Sequence, residues 1–166
     1  MLHALMSHID QHIKLSTVSA HCDIPCKIYD PIHAQIAALT IIRMIDLIED
    51  LPKGNLSVNQ HATLCRLVEQ KDVHGKKVKE EICVIWGDYF KQPQFEEFPE
   101  IHALAHEIML LASRAKQELN RDDALALLNK INRFAEIFWT TKGVAVYTAD
   151  CPYLPSLPTV YPDLKP

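Results

Sequence analysis

"DPIHAQIAALTIIRMIDLIEDLPKG", residues 30–54, decides the fold. Asp30 can cap a helix, and Pro31 suits the first helical position. Behind them Ile32, Ile36, Leu39, Ile42 and Ile45 recur at spacings of three and four. Ile41, Met44, Leu47 and Ile48 widen the stripe, which predicts a well-buried helix. Asp50-Leu51-Pro52-Lys53-Gly54 ends it. Outward from there, Ser57-Val58-Asn59-Gln60 has the form of a capping box. A second helical stretch follows to about Phe90, with Leu64, Leu67, Val68, Val78, Ile82 and Ile85 as core positions. Gly75 is a point where it bends or breaks. "KQPQFEEFPE", residues 91–100, reads as a loop, and Pro99 opens a third helix carrying Ile101, Leu104, Ile108, Leu111 and Ala115. Asn120 caps a fourth, with Asp122 and Asp123 near its positive end and Leu125, Leu128, Ile131, Ala135 and Phe138 inside.

Four amphipathic helices with short connections predict an all-α chain, an antiparallel up-down four-helix bundle. No strand-like alternation persists, and no internal repeat is visible. From Gly143 onward Pro152, Pro155, Pro158, Pro162 and Pro166 exclude a helix. That C-terminal tail is read as an extended arm or a disordered end.

With 166 residues the chain fits one domain. A net charge of −4 offers no basic stripe for nucleic acid and no polybasic run for a membrane surface. No apolar run reaches the length of a bilayer span. Five cysteines, Cys22, Cys26, Cys65, Cys83 and Cys151, are odd in number and scattered, unlike a disulfide framework. Cys65 and Cys83 fall in helical patterns and are read as small buried hydrophobes. A reducing compartment, the cytoplasm, is expected. The leading "MLHALMSHIDQHIKLSTVSA", residues 1–20, is too interrupted by polar residues for a secretory signal. It reads either as a frayed helix or as a pro-segment ending in Ser19-Ala20.

"HCDIPCKIYDP", residues 21–31, is the stretch that the bundle does not require. Taken alone it leaves open a disulfide, two buried thiols with an exposed histidine, or a metal site. Zinc usually takes four side-chain ligands, and no fourth lies nearby. His102 and His106, one helical turn apart, read as a surface or core pair, because the metal-protease spacing is missing. A cut between Ala20 and His21 changes the chemistry. His21 then has a free α-amine. That amine and the Cys22 amide nitrogen close one five-membered chelate ring, and the amide nitrogen with the Cys22 sulfur closes another. Cys26 reaches back with a second sulfur. Two nitrogens and two sulfurs in a plane point to nickel(II) or copper(II). The His21 imidazole can add an axial nitrogen, and Pro25 limits the freedom of the turn.

This stretch resembles the nickel hook of the nickel-containing superoxide dismutases, H-C-x-x-P-C-G-x-Y-x-P. "IWGDYFKQPQFEEFPEIH", residues 85–102, is similar to that family's W-x-D-Y-F-K-x-P-x-F-E-x-x-P-E-x-H. "INRFAEIFWTTK", residues 131–142, resembles its last helix. The resemblance runs from about Val18 to Lys142. It implies a four-helix bundle in a homohexamer, one nickel ion per subunit, a maturation protease, and disproportionation of superoxide to oxygen and hydrogen peroxide. It implies His21, Cys22 and Cys26 as metal ligands. Tyr29 would close the site and order water or substrate. Asp23 and Pro25 would hold the hook, and Asp88 and Tyr89 would form part of its seat. The resulting division is a pro-segment 1–20, hook and bundle 21–142, and a proline-rich tail 143–166.

The chain departs from the family at three places. Lys27 stands where glycine is usual. Ala37 stands where a glutamate usually holds the axial histidine. His74 aligns with an arginine partner. These departures keep an alternative in view, a nickel- or copper-binding store or chaperone that retains the hook without turnover.

Overall fold

The computed structural model describes residues 27–164. Four long helices make the body: α1 (Ile32–Glu49), α2 (Val58–Val84), α4 (Ile101–Gln117) and α5 (Arg121–Thr141). Between α2 and α4 lie a π-helical turn (Ile85–Tyr89) and the short helix α3 (Gln92–Glu97). Strands β1 (Val146–Asp150) and β2 (Pro158–Pro162) follow α5. Each long helix packs on two others: α1 on α2 and α5, and α4 on α2 and α5. The expected bundle is present, and its core is aliphatic, with Phe90, Phe134 and Phe138 the largest side chains fully enclosed.

At the start of α1 the Ile32 N–H donates to Asp30 Oδ1 at 2.9 Å, so Asp30 does act as a cap. Most of the expected stripe of α1 is buried, Leu39, Ile42 and Ile45 together with Ile41 and Ile48. Ala34, Ala37, Ala38, Ile41, Ile42 and Ile45 face inward, whereas Ile36 is 41% exposed. The alanines let neighbouring backbones come close, which an isoleucine in their place would prevent.

Helix α2 begins with the full capping box: Gln60 N–H donates to Ser57 Oγ and Ser57 N–H to Gln60 Oε1. It runs unbroken through Gly75, contrary to the expected bend. Gly75 instead faces α4, where an added Cβ would lie 3.1 Å from Lys116 Cβ. Only Lys71, Gly75, Val78 and Ile82 of α2 are buried. Leu64 and Leu67 are half-buried and Val68 is exposed, so these three are not core positions. Cys65 and Cys83 are likewise exposed rather than buried, since the helical phase places them outside the inward stripe.

Residues 91–100 are not all loop, because α3 occupies six of them. Asn120 Oδ1 accepts from Asp122 N–H and Asp123 N–H, capping α5 as expected. Gly143, at φ 70°, ends α5 in the left-handed conformation common after helices.

Of the two readings of the tail, an extended arm or a disordered end, the described residues to 164 take the extended one, folded back on itself. The tail returns as a two-stranded antiparallel ribbon in which Val146 pairs with Pro162 and Asp150 with Pro158. An isolated ribbon is marginal, and this one is held by the bundle. Gln35 Nε2 donates to Val160 O at 2.9 Å and to Asn132 Oδ1 at 3.0 Å. Asn132 Nδ2 donates to Pro158 O, and Val160 N–H donates to Asn132 Oδ1. Among the described residues no helix is long and apolar enough to cross a membrane.

Candidate metal centre

Of the residues singled out from the sequence, His21, Cys22, Asp23, Pro25 and Cys26 lie outside the described residues. Tyr29, Asp88 and Tyr89 lie within them. The described chain starts at Lys27 and reaches the bundle within a few residues. Lys27 has φ 59°, in the left-handed region. Glycine enters that region freely, and a residue with a Cβ does so at a cost.

Tyr29 packs on Tyr89, with ring centroids 5.8 Å apart and planes tilted by 54°. Tyr89 owes its position to the π-turn that ends α2. There Phe90 N–H donates to Ile85 O, a wider ring than the α-helical one. Such turns re-aim the side chains they carry. The Tyr89 ring leans on Phe138 at 4.7 Å and Phe90 at 5.1 Å. Lys142 Nζ stands over it, 4.6 Å from its centroid, within cation–π range. The Tyr89 hydroxyl lies 2.7 Å from Thr141 Oγ1. Thr141 Oγ1 donates its own proton to Phe138 O, so Tyr89 is the donor in this pair. Asp88, beside it, is exposed and has no hydrogen-bond partner among the described residues.

The chain therefore brings Tyr29 against a seat made by the end of α2 and the end of α5. Tyr89 stands out in the sequence, whereas Thr141 and Lys142, which hold it, do not. Both stand at the end of residues 131–142, the third stretch of family likeness, but nothing in their spacing tied them to Tyr89.

The two departures further along are occupied elsewhere. Ala37 is 1% exposed inside the bundle, where a glutamate would need a buried partner. The His74 Nδ1 lies 2.8 Å from Gln70 O, the carbonyl one turn back on its own helix. His102 is held by the Trp86 indole N–H, which donates to its Nδ1 at 3.1 Å, and by stacking on Phe95 at 4.2 Å. Among the described residues no group of three or more His, Cys, Asp or Glu could hold a metal ion. The donor set expected from the sequence, His21, Cys22 and Cys26, would suit a thiophilic ion that also takes nitrogen, as nickel does.

The family model of nickel-containing superoxide dismutase matches residues 16–142. The nickel superoxide dismutase of Streptomyces coelicolor is 34% identical over 126 residues, covering 76% of this chain and 91% of that protein. A solved native nickel superoxide dismutase is similar with a TM-score of 0.65 and 32% identity, covering 74% of this chain and 99% of its own. Solved variants of that kind are also similar, with TM-scores of 0.61 to 0.67, identities of 29% to 30% and coverage of 69% to 74% of this chain and 99% of theirs. They are substituted at a histidine that is their first residue, an aspartate that is their third and a tyrosine that is their ninth. In this chain His21, Asp23 and Tyr29 stand at the same spacing.

Proposed function

Because the chain belongs to the nickel-containing superoxide dismutase family, we propose that His21, Cys22 and Cys26 hold its nickel once residues 1–20 have been removed. The protein is an oxidoreductase with a nickel cofactor. It converts two superoxide ions and two protons into oxygen and hydrogen peroxide. The relatives' names support this enzyme over a store or chaperone.

One observation carries the site assignment. A first-residue histidine, a third-residue aspartate and a ninth-residue tyrosine in solved relatives fall in register with His21, Asp23 and Tyr29. The same register supports cleavage before His21, which frees the α-amine as a donor.

The bound nickel supplies a one-electron couple that superoxide can both reduce and oxidise. The chain's own residues do the rest. Cys22 and Cys26 give thiolates, and His21 gives its amine and imidazole. Asp23 and Pro25 limit the turn between the two sulfurs. Tyr29 is assigned to close the site and order water or substrate. Its hydroxyl is the proton-bearing group assigned to the site in this reading, and the ring contact with Tyr89 fixes its place on the bundle. Tyr89 is a support rather than the proton source, because its proton is committed to Thr141. Asp88 belongs to the same seat in this reading.

A homohexamer, a maturation protease and the cytoplasm complete the reading. Apolar residues on outer faces, Ile36, Val68 and Leu110 among them, support assembly. The free cysteines Cys65, Cys83 and Cys151 support a reducing compartment. The test is electron paramagnetic resonance on nickel-loaded protein that begins at His21. A nickel(III) signal with nitrogen splitting is expected. A signal unchanged by Cys26→Ser would contradict the assigned ligands.

A further inference from the structure

Away from the hook, the crossing of α2 and α4 carries a second set of metal-ligating groups. Cys83 Sγ on α2 lies 4.0 Å from Met109 Sδ on α4. Cys83 is exposed and Met109 half-buried, so solvent reaches the pair. The two helices run antiparallel here. Lys79 meets Ser113 at 2.6 Å and Cys83 meets Met109, so the stretch of α4 before Met109 runs beside the end of α2 and the turn that carries Trp86. His106 lies one turn before Met109 on the same side of α4, within side-chain reach of it. It is exposed and has no hydrogen bond or ion pair among the described residues. His102, the next histidine on that stripe, is held by Trp86 and Phe95 and is not free to join.

We propose that Cys83, Met109 and His106 form a three-coordinate site for a soft monovalent ion, copper(I). The sulfur spacing carries the argument. With metal–sulfur bonds of about 2.3 Å, two sulfurs 4.0 Å apart subtend about 120° at the ion. That is the trigonal angle, and one imidazole nitrogen completes the plane. A thiolate, a neutral thioether and an imidazole are a soft set, which favours copper(I) over nickel(II) or zinc(II). Zinc takes four ligands, and among the described residues no carboxylate or further cysteine joins these three to supply one. On binding, the Cys83 thiol releases its proton to solvent and no electron is transferred. The thiol–thioether contact already points the two sulfurs at each other, so little side-chain ordering remains to be done.

The site is tested in the full chain carrying Cys22→Ser and Cys26→Ser, so that the hook thiols do not compete. Copper(I) is added without oxygen against a chromophoric copper(I) chelator. One ion per chain is expected, with quenching of Trp86 fluorescence and X-ray absorption showing two sulfurs and one nitrogen. Cys83→Ser abolishes the uptake, and Met109→Leu and His106→Ala each weaken it about tenfold or more, with far-ultraviolet circular dichroism unchanged. Leucine matches methionine in volume, so Met109→Leu decides the matter even if Cys83→Ser folds poorly. Cys65→Ser has no effect. Failure to hold copper(I) against the chelator would overturn the proposal. So would an affinity indifferent to both Met109→Leu and His106→Ala, which would mean a bare thiol.

Discussion

Lys27, next to the proposed ligand Cys26, has φ 59°, a conformation that costs a side-chain-bearing residue about 1 kcal/mol relative to glycine. Lys27→Gly should relieve that strain. The expected result is tighter nickel retention and a higher turnover, with the salt dependence of the rate unchanged. A turnover that falls and loses its salt dependence would instead make the Lys27 charge an attractor of superoxide. Tyr89→Phe removes one hydroxyl from the 2.7 Å contact with Thr141 and should cost about 1 kcal/mol in thermal unfolding. At this scale His21, Cys22 and Cys26 stand out as the proposed ligands because they are close neighbours in sequence with distinctive chemistry. The seat was only half legible. Tyr89 and Thr141 meet across 52 residues, and no local pattern records such a contact.

Among the elements, the crossing of α2 and α4 departs most from a reading of spacing alone. Gly75 looked like a flaw in a helix and proved to be the point of closest approach, 3.1 Å from Lys116 Cβ for an added Cβ. Gly75→Val should destabilise the protein by about 1–3 kcal/mol in denaturant unfolding, because the clash outweighs any gain in helix propensity. Four residues earlier, Lys71 is 2% exposed. Its ammonium donates to the carbonyls of Ala115, Lys116 and Glu118, and so satisfies the end of α4. Lys71→Met leaves those carbonyls without a donor and removes a cation from the negative end of a helix. About 2 kcal/mol should be lost by the same measurement. A lysine in a helical pattern reads as a solvated face, so its burial was not legible. Helix existence, the Ser57 box and the Asn120 cap were, because each depends only on residues within a turn.

Across the whole molecule, the hairpin after Lys142 lies outside the stretch that the family model matches. It closes over Gln35 and Asn132, burying Thr159 and Cys151. A chain ending at Lys142 should keep its helix content. Losing the Gln35–Val160 bond and the ribbon's contacts should cost about 3 kcal/mol, or roughly 5–10 °C in melting temperature. An unchanged melting temperature would mean the ribbon lies on the bundle without stabilising it. Its prolines rightly excluded a helix. The pairing was hidden because strand partners 8–16 residues apart show themselves by alternation, and alternation here is broken by Pro158 and Pro162. At the other end of the chain, a freed His21 is proposed to complete the donor set. This is tested by superoxide decay under nickel-loaded protein that begins at His21, set beside the same protein beginning at Met1. Rapid decay is expected with the first and essentially none with the second. Equal rates from both would contradict it.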